Sequence, residues 1–216
     1  ISTNHCKIPK PSPQQEIFKL NVNDLRPSQF CVGFSEVLAR KKEFLNESKK
    51  KRIEYLRSKP TPIVTDKNHN LWMLDRHHRL RALVEIDKKA EAFGYIVAKI
   101  NTNNIPQVLN FLLNKGWLYL YNCRGIGPIS AQLLPNNLLR MKDDPFRSLV
   151  WKLKKDGYIS SQPLIAYHEF QWSQWLRTRS FPPFNSMNLN PALSIAKRLV
   201  TSRTASHLAG WKGKVT

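Results

Sequence analysis

Residues Asp75-Arg76-His77-His78-Arg79 place a carboxylate, two guanidinium groups and two imidazoles in consecutive positions, just after the apolar run Leu71 to Leu74. Helical spacing begins at His77 and continues through Leu80, Leu83, Val84 and Ile86, so the polar cluster sits where a strand hands over to a helix. The first amides of a helix lack partners within it, and its dipole is positive at that end, so such a junction stabilises an anion. Arg76 and Arg79 would add charge-assisted hydrogen bonds to phosphate. Adjacent side chains on a helix project about 100° apart, so one of His77 and His78 would face a ligand while the other packs. Asp75 would orient a histidine or hold Mg²⁺ through water. The competing explanation is structural: Asp75 as a plain helix cap, a core histidine and solvated arginines.

Lysine and arginine number 35 against 15 acidic residues, a formal charge of +20. A surface potential of that sign attracts phosphate, and a nucleotide or nucleic acid is the expected partner ahead of an anionic membrane or a simple solubility role. The densest basic run, Lys49-Lys50-Lys51-Arg52, is a candidate contact with a nucleic-acid backbone; a solvated helix face is its other reading. No apolar run approaches the roughly 18 residues that a membrane-spanning helix needs, so the chain reads as soluble. Cys6, Cys31 and Cys123 are odd in number and lack CxxC spacing, so they suggest neither a disulfide framework nor a metal site. The chain opens at Ile1 rather than methionine, which suggests that a leader or tag preceded it and leaves its compartment open.

The elements that must position the cluster follow from periodicity and punctuation. Residues 1–16, with three prolines before Ile17, read as an extended arm. Phe34 to Arg57 has helical spacing as one long helix or two short ones. Lys59-Pro60-Thr61-Pro62 ends it, and Ile63 to Thr65 with Leu71 to Leu74 form a hairpin. The helix from His77 and a strand from Phe93 to Ile100 follow. Asp144-Pro145 and Asn190-Pro191 each set a capping residue before proline, predicting helices from Phe146 to Lys155 and from Ala192 to Val200. Glu169 to Arg179 is a further helix, with Trp172 and Trp175 as core residues rather than stacking platforms. Arg147 is expected to pair with Asp143 or Asp144. The fold class is α+β, with a mixed domain over 17–100, a helical region over 101–205 packed on it, and a basic tail over 206–216.

Asp75 to Arg79 resembles the Asp-x-His-His-Arg box of the ParB/sulfiredoxin superfamily. Leu25-Arg26-Pro27-Ser28-Gln29, Val32-Gly33 and Glu36-Val37 with Lys41 are similar to an N-terminal stretch of the putative ParB-like nuclease family. Asp143 to Leu149, Glu169-Phe170 with Trp172, and Leu176-Arg177 are similar to its C-terminal signatures. The likeness spans roughly Ile17 to Arg179 and implies a small ParB/sulfiredoxin-like mixed domain whose box handles phosphate. It also implies that Glu36 lies near the box, where its carboxylate would act as general base. His77 stands where sulfiredoxin carries a reactive cysteine, which argues against sulfinic acid repair. The helix-turn-helix module and Gly-Glu-Arg-Arg box of partition proteins are missing, which argues against chromosome segregation. Arg76 replaces the glycine of the related kinase box. The leading expectation is an enzyme of phosphate chemistry, a nuclease or phosphotransferase using Mg²⁺ and a nucleoside triphosphate. Glu36, Asp75, His77 and His78 would be its catalytic residues, and Arg76, His78 and Arg79 its phosphate ligands. The alternatives are a noncatalytic nucleotide or nucleic-acid binding module and a protein interaction module for an acidic partner.

Overall fold

The structure, a computed structural model, describes residues 7–162 and 165–213. Its first half is a five-stranded mixed sheet flanked by helices. In chain order these elements are β1 (Phe18–Asn21), β2 (Leu25–Pro27), β3 (Cys31–Val32), α1 (Phe34–Asn46), α2 (Lys49–Ser58), β4 (Thr61–Thr65), β5 (Leu71–Met73), α3 (His77–Ile86) and β6 (Glu91–Lys99). The second half is α4 (Ile105–Asn114), β7 (Lys142–Asp143), α5 (Pro145–Lys155), α6 (His168–Arg177) and α7 (Asn190–Thr201). The sheet order is β1-β6-β4-β5-β2. The expected hairpin is β4 and β5, antiparallel with Ile63 opposite Met73. β6 lies parallel to β4 on one side and antiparallel to β1 on the other. The α+β class expected from the sequence is the architecture observed.

Phe34 to Arg57 resolves into two helices because Ser48 caps the second, its Oγ accepting the Lys51 amide at 3.3 Å. Pro62 falls inside β4, where it lacks an amide to donate, yet its carbonyl accepts the Leu74 amide at 3.0 Å and β5 pairs only from Ile63 onward. Asp144 caps α5 as expected, accepting the amides of Phe146 and Arg147 at 2.9 and 3.1 Å. Asn190 does not cap α7: it is the first helical residue, and Leu189 precedes it in the capping position.

Apolar side chains form three buried clusters. One lies between the sheet and α1 and α3, around Val37, Phe44, Met73 and Leu80. The second lies within α5, α6 and α7, around Leu149, Trp172 and Ala196, which puts Trp172 in the core as expected. The third joins the sheet to α4 through Trp72, Leu109 and Trp117. α1 packs on both α3 and α5 and so ties the halves together.

Both ends of the described chain are docked. In the arm, the Lys7 carbonyl accepts Trp117 Nε1 at 3.2 Å, the Pro9 carbonyl accepts the Tyr95 hydroxyl at 2.8 Å, and Lys7 bridges Ile165. At the other end, Ile159 bridges Trp211, and the Ala209 carbonyl accepts Trp172 Nε1 at 2.8 Å. Residues 208–211, within the stretch expected as a basic tail, are half-buried. No helix among the described residues is long and apolar enough to cross a membrane.

Candidate functional site

Arg76 determines the shape of the strand-to-helix junction. Its backbone is left-handed, φ 77° and ψ 12°, and it occupies the position before α3 without a side-chain cap. That conformation suits glycine and strains other residues. Asp75 supports it, its Oδ1 accepting the Arg76 amide at 2.6 Å and its Oδ2 lying 3.0 Å from the Arg76 guanidinium. Asp75 thus holds neither histidine nor the helix cap, a correction that follows from the turn of the backbone at Arg76. Leu80 is the first α3 amide to close onto Arg76, so the amides of residues 77–79 precede the helical ladder.

His77 and His78 point back into the fold. The Nε2 of His77 accepts the Ser28 amide at 3.2 Å, and that of His78 accepts the Gly33 amide at 2.9 Å. An acceptor Nε2 carries no proton, so each neutral ring has its proton on Nδ1. Burial pushes His77 down to about 3, and burial together with the Arg147 charge holds His78 well below the usual range. The imidazoles therefore bring no positive charge to the site. Gly33 is required where it stands, because a Cβ there would lie 2.7 Å from the Ser148 amide nitrogen. With no side chain at Gly33, the first amides of α1 are satisfied from afar: Asp143 Oδ1 accepts Phe34 N at 2.9 Å and Ser148 Oγ accepts Ser35 N at 3.1 Å. This fixes the start of α1 and, within its first turn, Glu36.

Glu36 is buried, with Oε2 3.0 Å from Arg147 Nη2 and 3.9 Å from His78 Nδ1. Arg147, only 4% exposed, also lies 3.7 Å from Glu169, which Lys154 pairs in turn. The expectation that Arg147 would pair through its side chain with Asp143 or Asp144 is corrected: Asp144 pairs with Arg177 at 2.5 Å, and Arg147 reaches across to α1 and α6. Burial alone would raise Glu169, but Arg147 and Lys154 hold it well below the carboxylate range.

These groups line one cavity of about 200 Å³, with Glu36, Arg40, Asp75, Arg76, Arg79, Arg147, Lys154 and Glu169 as its charged walls. Arg147 and Lys154 balance Glu36 and Glu169 at one end. Around Arg79 at the other, Arg76 pairs with Asp75 and Arg40 with Glu43, so the guanidinium groups exceed the carboxylates by one. Burial draws Arg79 below its usual range, and the like charges of Arg76 and Arg40 add to the fall while Tyr55, under its guanidinium at 4.8 Å, opposes it. Crowded guanidinium groups beside free helix amides attract an anion.

The cavity thus gathers Glu36, Asp75, Arg76, His77, His78 and Arg79. It excludes Lys49, Lys50, Lys51 and Arg52. The three lysines are exposed in the first turn of α2, whereas Arg52 donates to the Phe44 carbonyl at 2.5 Å and so secures the end of α1. Arg40, Lys154 and Glu169 were missed from the sequence. Arg40 lies four residues after Glu36 and Lys154 seven after Arg147, spacings that return to the same helix face and offered the only local signal. Glu169 sat within a recognised segment without an assigned partner, and Arg147 within another with a different one. Cys31 is buried and Cys123 half-buried, both as free thiols; Cys6 lies outside the described residues.

No protein among the curated proteins matches the chain. Among solved structures, protein Atu1540 from Agrobacterium tumefaciens superposes with a TM-score of 0.79 at 27% identity, covering 93% of this chain and 100% of that one. A family model described as "Putative ParB-like nuclease" matches residues 18–178, a span that runs from β1 to the end of α6 and contains every charged group of the cavity. The chain belongs to the putative ParB-like nuclease family.

Proposed function

We propose that the cavity binds a phosphate group of a nucleotide or nucleic acid, and that Glu36 activates a water or hydroxyl for phosphodiester hydrolysis or phosphoryl transfer. The observation that carries this is the meeting, in one cavity, of a left-handed helix start, three crowded arginines and a buried carboxylate. The amides of residues 77–79 with Arg76, Arg79 and Arg40 receive the phosphate oxygens and stabilise charge developing on them. Asp75 keeps Arg76 in its turn, and His77 and His78 lock α3 to residues 28–33. Glu36, oriented by Arg147, stands at the balanced end, where an uncharged nucleophile is not repelled. Among the described residues no three His, Cys, Asp or Glu side chains gather to hold a metal, and Mg²⁺ in this scheme arrives with the substrate's phosphates. The family's nuclease description supports the hydrolytic form of the reaction.

A noncatalytic binding module is the second reading, favoured by the engagement of Glu36 Oε2 with Arg147. Replacement Glu36→Gln separates the two. In the enzyme, turnover of a phosphodiester or nucleoside triphosphate falls by about 10²-fold or more while ligand binding stays within a few-fold. In the binding module, wild type binds without turnover and the variant behaves like it. Failure of inorganic phosphate, mononucleotide and oligonucleotide to bind wild type would overturn both.

A further inference from the structure

The cavity has a second wall of a different kind. Ile8 of the N-terminal arm lines it together with Ile165, Ala166 and Phe170, next to the polar Ser161, Gln162 and Tyr167. This wall is assembled from distant parts of the chain by the bridge between Lys7 and Ile165. The arm is held in place independently of any ligand, through Trp117 Nε1 on the Lys7 carbonyl and the Tyr95 hydroxyl on the Pro9 carbonyl. Ile8 itself is half-buried against the apolar cluster that contains Trp117 and Leu118. A site for bare phosphate has no use for an apolar wall, because burying apolar surface rewards only a ligand that brings apolar surface of its own. The size of the cavity limits what that can be. About 200 Å³ falls below the roughly 300–1,000 Å³ of pockets that enclose drug-sized ligands, so the room beyond a phosphate accepts one ring.

We propose that Ile8 determines specificity: the cavity selects a phosphate monoester over bare phosphate by taking the first ring that follows the phosphate, held against the arm while the phosphate meets the start of α3. This rests on the phosphate reading of the cavity. A free nucleotide and the 5′-phosphorylated end of a single strand share this chemistry.

The test is isothermal titration of the full chain and of Ile8→Glu and Ile8→Ala with inorganic phosphate, phenyl phosphate, adenosine monophosphate and a 5′-phosphorylated single-stranded tetranucleotide. Wild type is expected to bind phenyl phosphate about tenfold or more tightly than inorganic phosphate. Ile8→Ala should narrow that ratio severalfold while leaving affinity for inorganic phosphate within about threefold, and Ile8→Glu should abolish the ratio while its carboxylate also weakens binding of phosphate itself. Should Ile8→Glu fail to fold, the wild-type ratio and Ile8→Ala decide. Equal affinities for phosphate and phenyl phosphate, or a ratio untouched by either substitution, would overturn the role of Ile8 while sparing the phosphate site. Loss of binding by every ligand would sink both. Tight binding of the monophosphate but not the tetranucleotide identifies a free nucleotide, and the reverse identifies a strand end.

Discussion

Replacing Arg147 by methionine keeps an unbranched apolar stem and removes the charge, leaving the buried Glu36 and the half-buried Glu169 without their shared partner. Lys154 still faces Glu169, but among the described ion pairs the only other contact of Glu36 is His78 at 3.9 Å, and that ring is neutral. Breaking a buried ion pair from one side costs about 3–5 kcal/mol. For a chain of this size each kcal/mol moves the melting temperature by about 2–4 °C, so Arg147→Met should melt about 6–20 °C below wild type at pH 7. Adding Glu36→Gln and Glu169→Gln removes the stranded charges and should recover most of that loss. The pH dependence has a fixed sign. Glu169 is depressed in the folded chain, so its contribution is present above the ordinary carboxylate range and fades as pH falls through and below it. Thermal melts followed by circular dichroism should therefore show the gap between wild type and Arg147→Met narrowing from pH 7 to pH 4. A drop below about 3 °C at pH 7, or a gap that widens in acid, would refute the buried pairing.

The histidines make a second titration test. Both are held below their unfolded value of 6.5, so the unfolded chain takes up protons first, and stability falls below that pH by roughly 1.4 kcal/mol per pH unit for each ring. NMR should find neither ring titrating between pH 7.5 and 5, and a midpoint near 6.5 for either would contradict the assigned hydrogen bonds. Arg76→Gly relieves a left-handed backbone worth about 1–2 kcal/mol, offset by about 0.4–1 kcal/mol from the freer unfolded chain. Its melting temperature should match or exceed that of wild type while its phosphate affinity falls; a clear loss of stability would show that the turn needs the side chain. Replacing Lys49, Lys50 and Lys51 together with alanine should leave mononucleotide affinity within about twofold and flatten the salt dependence of any oligonucleotide binding, whereas an equal loss for both ligands would tie α2 to the cavity.

Local patterns made much of the frame legible. The strand-to-helix junction at Asp75, the hairpin before it, and the starts of α5 and α6 all carried turn, cap or period signals that the fold obeys. The short strands β1, β2 and β3 did not, because two to four residues are too few to display an alternation. The ion pair from Glu36 to Arg147 joins positions 111 residues apart. Nothing local in either segment encodes it, since α1 and α5 meet only when the halves pack. The left-handed Arg76 was signalled only by the glycine that the related kinase box carries there; the residue itself is the wrong type for its conformation, and Asp75 supplies support that composition does not reveal. The Arg52 contact with the end of α1 likewise became visible only when the helix broke at Ser48, turning one member of an apparent nucleic-acid stripe into a structural group.

The most direct measurement is a crystal structure of the chain with bound adenosine monophosphate or phenyl phosphate. Phosphate oxygens within about 3.2 Å of the amides of residues 77–79 and of the Arg76 or Arg79 guanidinium, with Glu36 facing the phosphorus, are the expected result. A phosphate seated on the lysines of α2, or a cavity left empty at saturating ligand, would contradict the assignment of this site.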